Sequence, residues 1–147
     1  MPFCLALKHH TSKISTFEDL TTVETFGFRG EALASLCALC EHVTITTATE
    51  DSAPMGTILQ LDRQGRVVDR TGRVARQRGT TVTLSGLFAS LPVRRTELER
   101  HIKREYGKAL NLLSAYALFP SLGKQGMKFS VFHISENGQV LLRHSDP

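Results

Sequence analysis

The sequence has little cysteine and no long hydrophobic run, and each absence excludes a class of protein. Only three cysteines occur among 147 residues: Cys4, Cys37 and Cys40. An odd count without framework spacing argues against a secreted disulfide scaffold. No stretch approaches the roughly 18 apolar residues of a membrane span, and the short apolar start lacks the pattern of a signal peptide. These absences predict a soluble intracellular protein.

The composition is that of an ordinary globular chain. Hydrophobic residues make up 41% and charged residues 22% of the sequence, and its length fits one domain. The formal net charge is +4, with a pI of about 9.2. This mild basicity is compatible with a polyanionic partner, but many ordinary proteins reach it, so the positions of the charges matter more.

Apolar residues that recur every three or four positions predict two helices. The first follows Gly30, and its apolar stripe consists of Leu33, Leu36, Cys37 and Cys40. The second covers residues 96–118, where Thr96 and Glu99 form a capping box. Its predicted buried face consists of Leu98, Ile102, Tyr106, Ala109, Leu113 and Tyr116. A shorter helical turn is expected over residues 15–20.

Alternating side chains predict strands over residues 43–48, 56–63, 66–69 and 81–84. Tight turns are expected at Gln64–Gly65 and at Asn137–Gly138, the second within a final hairpin over residues 127–143. The order of elements predicts an α+β fold, with a mostly antiparallel sheet covered on one face by helices. We expect one domain over residues 1–147, with its segments at 9–40, 43–88, 96–118 and 127–143.

The glycine motif, residues 27–33, places two glycines directly before a helix. The first turn of a helix carries unpaired N–H groups and a partial positive charge, so it can hold a phosphate. Glycine lets the backbone approach a ligand closely, and Arg29 adds a donor for an anion. Glu31 is expected in the first helical turn, where the helix dipole favours an acid. On physical grounds alone, an ordinary turn from loop to helix is the better explanation, because glycine-rich patterns of this kind are common.

Four segments resemble motifs of the MutL branch of the GHKL ATPases. They occur in the same order as the motifs of that family. Gly27-Phe28-Arg29-Gly30-Glu31-Ala32-Leu33 resembles the third ATP-binding motif of this family, and the likeness continues into Ala34-Ser35-Leu36. Residues 9–14, here called the lid segment, resemble the MutL lid. Residues 79–82 resemble the fourth motif, and residues 91–95 resemble the turn that follows it. Several segments, such as residues 23–26, look closest to the eukaryotic PMS branch.

The resemblance implies a partial GHKL (Bergerat) ATPase fold and a set of contacts to ATP with Mg. Thr11, Ser12 and Lys13 would belong to a lid that closes over the triphosphate. Backbone N–H groups from Gly27, Phe28, Arg29, Gly30, Glu31, Ala32 and Leu33 would wrap the phosphates. The hydroxyl of Thr80 would lie near the adenine. A segment of small polar residues costs little to order over a ligand, which suits a lid.

The sequence departs from the family in what precedes the lid segment. The family's catalytic Glu, its Mg-binding Asn and its adenine-reading Asp-x-Gly-x-Gly motif belong there, and residues 1–26 contain none of them. The residues that would activate water and hold the metal that neutralises phosphate charge are therefore missing. We expect an N-terminally truncated fragment that contains no catalytic residue and does not hydrolyse ATP alone.

Two basic stretches are candidates for DNA contact. The candidate contacts are Arg94, Arg95, Lys103 and Arg104, and a second run comprises Arg63, Arg66, Arg70, Arg73, Arg76 and Arg78. Such residues bind DNA phosphates without reading the base sequence, although a solvated basic face explains each residue equally well. The resemblance implies DNA mismatch repair in the nucleus, together with a second MutL-type subunit, a MutS-type recognition complex and DNA.

The remaining candidates have simpler explanations. Cys37 and Cys40 have redox or metal spacing, but the helical stripe favours two small buried hydrophobic residues. His9 and His10 lack a third ligand nearby in the sequence, so no metal site is predicted. Two other functions stay open: a catalytically inactive module that binds a partner, and another GHKL ATPase such as a type II topoisomerase subunit.

Overall fold

The computed structural model describes residues 5–21, 27, 29–117, 130–134 and 140–145. Contacts divide the chain into two compact units, Met1–Glu97 and Leu98–Pro147. The first unit contains a short 3₁₀ helix, Glu18–Thr21, and the helix α1, Ala32–Leu39. Four strands follow: β1 (His42–Ala48), β2 (Met55–Leu61), β3 (Val67–Ala75) and β4 (Gly79–Ser85). The observed architecture is α+β, as the sequence predicts.

The four strands form one antiparallel sheet in the order β3-β2-β1-β4. Each strand was predicted close to its observed position, although β3 continues to Ala75, six residues beyond the predicted end at Asp69. The turn between β2 and β3 is fixed by Asp62, whose Oδ1 accepts the N–H of Gln64 at 2.9 Å and that of Arg66 at 2.8 Å. This Asx-type turn joins the two strands tightly.

The hydrophobic core lies between one face of the sheet and α1. Directly opposed residues on neighbouring strands share a face, so the pairings of Ile45 with Leu59 and of Val43 with Leu61 put all four side chains together. The core consists of Ala6, Cys37, Cys40, Val43, Ile45, Leu59 and Leu61, with Leu33 and Val67 packed against it. Val82 and Leu84 of β4 lie on this same face because they pair with Ile45 and Val43, yet they are 44% and 41% exposed.

The predicted turn near residues 15–20 is present, and a side chain stabilises its start. Oδ2 of Asp19 accepts the backbone N–H of Ser15 at 2.7 Å and that of Thr16 at 2.9 Å. The same two hydrogen bonds are the largest causes that lower the pKa of Asp19, because they favour the carboxylate form. The helical turn itself begins at Glu18.

The predicted helix over residues 96–118 is wrong in its start and in its continuity. It is two helices, α2 (Pro92–Arg100) and α3 (Ile102–Ala117), separated at His101. Helix α2 begins at Pro92 because proline suits the first helical position, where no N–H is needed. Thr96 does not cap the helix but donates its hydroxyl to the carbonyl of Pro92 at 3.0 Å. On the predicted buried face, Ile102, Ala109 and Tyr116 are exposed.

The second unit contains α3 and an antiparallel hairpin formed by β5 (Ser130–Ile134) and β6 (Val140–Ser145). The hairpin was predicted, while its expected turn at Asn137–Gly138 lies outside the described residues. The rings of Tyr106 on α3 and His133 on β5 lie 4.8 Å apart. In the part of the chain that the structure describes, no helix has the length and apolarity needed to cross a membrane.

Candidate functional site

The lid segment lies directly against the glycine motif. The backbone N–H of His9 donates to the carbonyl of Gly30 at 3.1 Å. The N–H of His10 donates to the carbonyl of Leu7 at 3.2 Å, which forms a turn at the start of the segment. Two segments that are about 20 residues apart in the sequence, and that were predicted separately, are thus joined by a backbone hydrogen bond.

Gly30 is required at this contact for two reasons. Its φ is +65°, in the left-handed region that side-chain-bearing residues rarely adopt. In addition, a Cβ atom at Gly30 would fall on the backbone carbonyl of His10. Gly27 differs, because a Cβ atom there would meet nothing within 4 Å. Within the motif, the close approach of the lid segment therefore depends on Gly30.

Glu31 joins the lid segment and the glycine motif through its side chain. Its Oε1 lies 3.2 Å from Nδ1 of His9 and 3.3 Å from Nε of Arg29. The prediction that Glu31 lies in the first helical turn is wrong by one position, since α1 begins at Ala32. The carboxylate makes no capping hydrogen bond to the helix. Its contacts are with Arg29 and His9 instead.

The remaining predicted residues of the lid and the motif are placed as follows. Oγ1 of Thr11 accepts the N–H of Lys13 at 3.2 Å, while the side chains of Ser12 and Lys13 are exposed. Leu33 packs against the core from α1, and Ala32 is exposed. Phe28 lies outside the described residues. The described residues contain no group of three or more His, Cys, Asp and Glu side chains that could hold a metal ion.

Thr80 lies on β4, and its hydroxyl contacts a residue that the sequence reasoning missed. Oγ1 of Thr80 is 2.8 Å from Oγ1 of Thr47, its directly opposed partner on β1. Both side chains lie on the core face of the sheet, because Thr47 alternates with Val43 and Ile45. The alternation of β1 alone could have placed Thr47 on this face. Its pairing with Thr80 required the strand register.

Arg76, predicted as one of a run of surface arginines, is instead half-buried at the edge of the sheet. Its Nε donates to the carbonyl of Gly79 at 3.3 Å, and its backbone N–H donates to the carbonyl of Pro54 at 2.8 Å. Gly56 makes room for it, since a Cβ atom there would lie 3.1 Å from Cβ of Arg76. Arg76 therefore supports the start of β4, where Gly79 adopts a φ of +146°.

The other five arginines of that run lie at the surface. Arg63, Arg66, Arg70, Arg73 and Arg78 are exposed. Arg78 forms an ion pair with Glu50, with its Nη1 3.1 Å from Oε2. An exposed pair of this kind contributes little to stability. The stretch therefore presents positive charge to solvent from the edge strand β3 and the turns at its two ends.

The candidate DNA contacts fall in both units. In the first unit, Arg94 and Arg95 are exposed on α2, and Cζ of Arg94 lies 5.3 Å from the centre of the Phe88 ring. In the second unit, Lys103 and Arg104 are exposed on α3. Nε of Arg104 lies 3.1 Å from Oε1 of Glu105, so part of its charge is compensated locally.

The cysteine prediction is confirmed. Cys37 is 1% exposed and Cys40 is 3% exposed, and both are free thiols in the core. Burial raises the pKa of Cys37, with smaller contributions from Asp62 and Cys40, because a thiolate is poorly solvated in an apolar environment. Both residues act as small hydrophobic side chains.

Known proteins are similar to this chain in sequence, and a solved structure is similar to it in fold. Fission yeast (Schizosaccharomyces pombe) DNA mismatch repair protein pms1 is 49% identical over 138 residues, which are 94% of this chain and 17% of that protein. Human mismatch repair endonuclease PMS2 is 55% identical over 78% of this chain and 13% of its own length. No family model matches the sequence. The chain spans less than a fifth of the length of these curated relatives.

A solved structure defines the class of domain. The crystal structure of the N-terminal domain of a DNA repair protein superposes with a TM-score of 0.69 at 39% identity, covering 95% of this chain and 39% of that one. The fold is therefore that of part of a DNA repair protein's N-terminal domain. Together with the sequence relatives, it shows that the chain belongs to the MutL family, in the eukaryotic PMS branch.

Proposed function

We propose that this chain acts in DNA mismatch repair, as part of an ATP-binding, DNA-clamping protein of the MutL type. The single observation that carries the proposal is the hydrogen bond from His9 to Gly30, which joins the lid segment to the glycine motif. The relatives named as mismatch repair proteins, from fission yeast and human, support it. Neither is a topoisomerase subunit, which favours the MutL alternative over the other GHKL ATPases.

The residues present fit the phosphate part of a bound ATP. The start of α1 offers N–H groups with a partial positive charge, and the carboxylate of Glu31, which contacts Arg29 and His9, makes no capping hydrogen bond to them. Arg29 adds a cationic donor beside the same helix start. The segment Thr11–Lys13 would close over the phosphates, and Thr80 would lie at the base end of the pocket. Bound nucleotide would supply the energy of a conformational change in the intact protein.

Mg is proposed only for the intact protein. The described residues contain no group of carboxylates, histidines and cysteines suited to a metal, and the chain has no residue assigned as the general base. This chain is therefore proposed to bind the triphosphate without hydrolysing it alone. A catalytically inactive module that binds a partner remains the second hypothesis. A measurement of nucleotide binding discriminates between this module and the ATP-binding function.

DNA contact is proposed for Arg94, Arg95, Lys103 and Arg104, all exposed cations on helices. Their guanidinium and ammonium groups would neutralise backbone phosphates without reading sequence. Another MutL-type subunit and a MutS-type recognition complex are the proposed protein partners, and the nucleus is the proposed location. Each of these follows from the proposed role in mismatch repair.

The test uses a chimera in which this chain replaces the aligned segment of fission yeast pms1. We expect the chimera to lower the mutation rate of cells that lack pms1 and, once purified, to bind ATP in a calorimetric titration. Gly30→Ala should abolish both effects, because its Cβ atom would displace the lid segment. Gly107→Ala is the matched control, since a Cβ atom at Gly107 meets nothing within 4 Å.

Two results would contradict the proposal. One is a folded chimera that binds no ATP and does not change the mutation rate. The other is a Gly30→Ala chimera that binds ATP as tightly as its parent. Binding of the partner subunit without ATP would favour the inactive module.

A further inference from the structure

The turn after β4, residues 86–89, is bonded to the end of α1 and leads into α2. The N–H of Phe88 donates to the carbonyl of Leu39, at the C-terminal end of α1, at 2.8 Å. The N–H of Glu41 donates to the carbonyls of Ser85 and Gly86 at 3.0 and 3.2 Å. The bond from Phe88 to Leu39 and the bond from Glu41 to Gly86 thus hold the turn against the C-terminal end of α1.

Phe88 has an unusual backbone conformation within this turn. Its φ is +60°, in the left-handed region that bulky side chains rarely adopt. The bond to Leu39 and the bond from the N–H of Leu91 to the carbonyl of Phe88, at 2.9 Å, hold this conformation. The conformation sets where the Phe88 ring lies relative to the start of α2.

The guanidinium of Arg94 lies over the ring of Phe88. Cζ of Arg94 lies 5.3 Å from the ring centroid, within the range of a cation–π contact. A cation–π contact of this kind uses none of the guanidinium's N–H donors, which stay available for hydrogen bonds. An arginine held in this way has lost part of its rotamer freedom before it meets a phosphate, so less entropy is lost on binding.

We propose that Phe88 is a positioning residue for DNA binding, which holds the Arg94 guanidinium ready for a backbone phosphate. This inference rests on the proposed DNA contact of Arg94 and adds the residue that orients it. The partner is the sugar–phosphate backbone of duplex DNA, because cationic side chains bind the backbone phosphates without regard to base sequence. The proposed positioning by Phe88 does not involve the neighbouring Arg95.

The test measures the affinity of the full-length chimera for a 40-base-pair duplex of random sequence over a series of salt concentrations. Arg94→Gln should weaken binding about fivefold at low salt and reduce the salt slope by about one phosphate contact. Phe88→Leu, which keeps the apolar bulk but removes the aromatic ring, should produce most of that loss. Phe88→Tyr keeps the ring and should restore the parent's affinity.

The double variant separates positioning from general destabilisation. If Phe88 acts through Arg94, Phe88→Leu should have no further effect on affinity in the Arg94→Gln background. Additive losses, or an unchanged affinity in Phe88→Leu while Arg94→Gln weakens binding, would overturn the inference. Failure of the proposed DNA contact looks different, because Arg94→Gln itself would then leave both affinity and salt slope unchanged. Thermal melts of each variant identify any loss that comes from unfolding.

Discussion

Nδ1 of His9 lies 3.2 Å from Oε1 of Glu31, and this contact joins the lid segment to the residue that precedes α1. It complements the backbone bond between His9 and Gly30. Each contact connects the two segments that the sequence predicts to form a nucleotide site. The lid segment is therefore positioned at its first residue, while the side chains of Ser12 and Lys13 are exposed.

Removing the charge of Glu31 should loosen the lid segment. In Glu31→Gln, the pairs with His9 and Arg29 are weakened, so amide hydrogen exchange at residues 8–13 should accelerate severalfold. Global stability should change by less than about 1 kcal/mol, because both partners are largely exposed. Glu50→Gln removes another exposed pair, that with Arg78, and should leave exchange at residues 8–13 unaltered. Equal exchange in the two variants would argue against the role of Glu31.

A side chain at Gly30 should cost much more than one at Gly27. Gly30→Ala introduces both an unfavourable φ and a clash with the backbone of His10, for an expected loss of about 1–3 kcal/mol. Gly27→Ala, which has open space, should cost less than about 1 kcal/mol. Urea denaturation of the two variants measures the difference. Similar unfolding free energies would show that the contact between the lid segment and Gly30 is absent in solution.

Arg76 and Arg63 should behave differently although both belong to one basic run. Arg76→Gln removes the donor to Gly79 and exposes the gap above Gly56, so the free energy of unfolding should fall by about 1 kcal/mol. Arg63→Gln changes an exposed turn residue and should leave stability within about 0.5 kcal/mol. Thermal melts of both variants and of the parent protein measure this difference in stability. If Arg76→Gln is as stable as the parent, Arg76 behaves like the exposed arginines of the run.

Alkaline pH should destabilise the fold through Cys37. Burial raises the pKa of this thiol above its usual value of 9.0. Between that value and the higher folded pKa, the unfolded chain releases a proton that the folded chain retains, so stability falls as pH rises. The unfolding free energy, measured from pH 7 upward, should therefore decline above pH 9.0. Cys37→Ala should decline less steeply over the same range, and parallel curves would contradict the assignment.

Local sequence patterns predicted the first unit well, because the apolar residues of each helix and strand recur at the spacing typical of that element. The alternation of Val43 and Ile45 with threonines predicted β1 and its buried face. The stripe on α1 likewise predicted the burial of Cys37. The break at His101 was missed since the apolar spacing continues unchanged from Leu98 into α3, and periodicity carries no information about continuity.

Contacts between distant segments could not be predicted from single residues. The hydrogen bond between Thr47 and Thr80 depends on a register that links residues 33 positions apart. The burial of Arg76 depends on the missing side chain of Gly56 on a neighbouring strand. Within the candidate site, the motif resemblance supplied the residues, whereas the contact between Glu31 and His9 is visible only in the folded chain.

The short helix α1 has a further mechanical consequence. Its eight residues span about 12 Å at 1.5 Å per residue, with the glycine motif at one end and the bond from Phe88 to Leu39 at the other. Such a helix moves as a rigid strut rather than bending. A tilt of about 10° at its first turn would shift its far end by about 2 Å, and the loop bonded there would travel with it. A shift of the glycine motif relative to the sheet would therefore also move the turn that leads to Arg94.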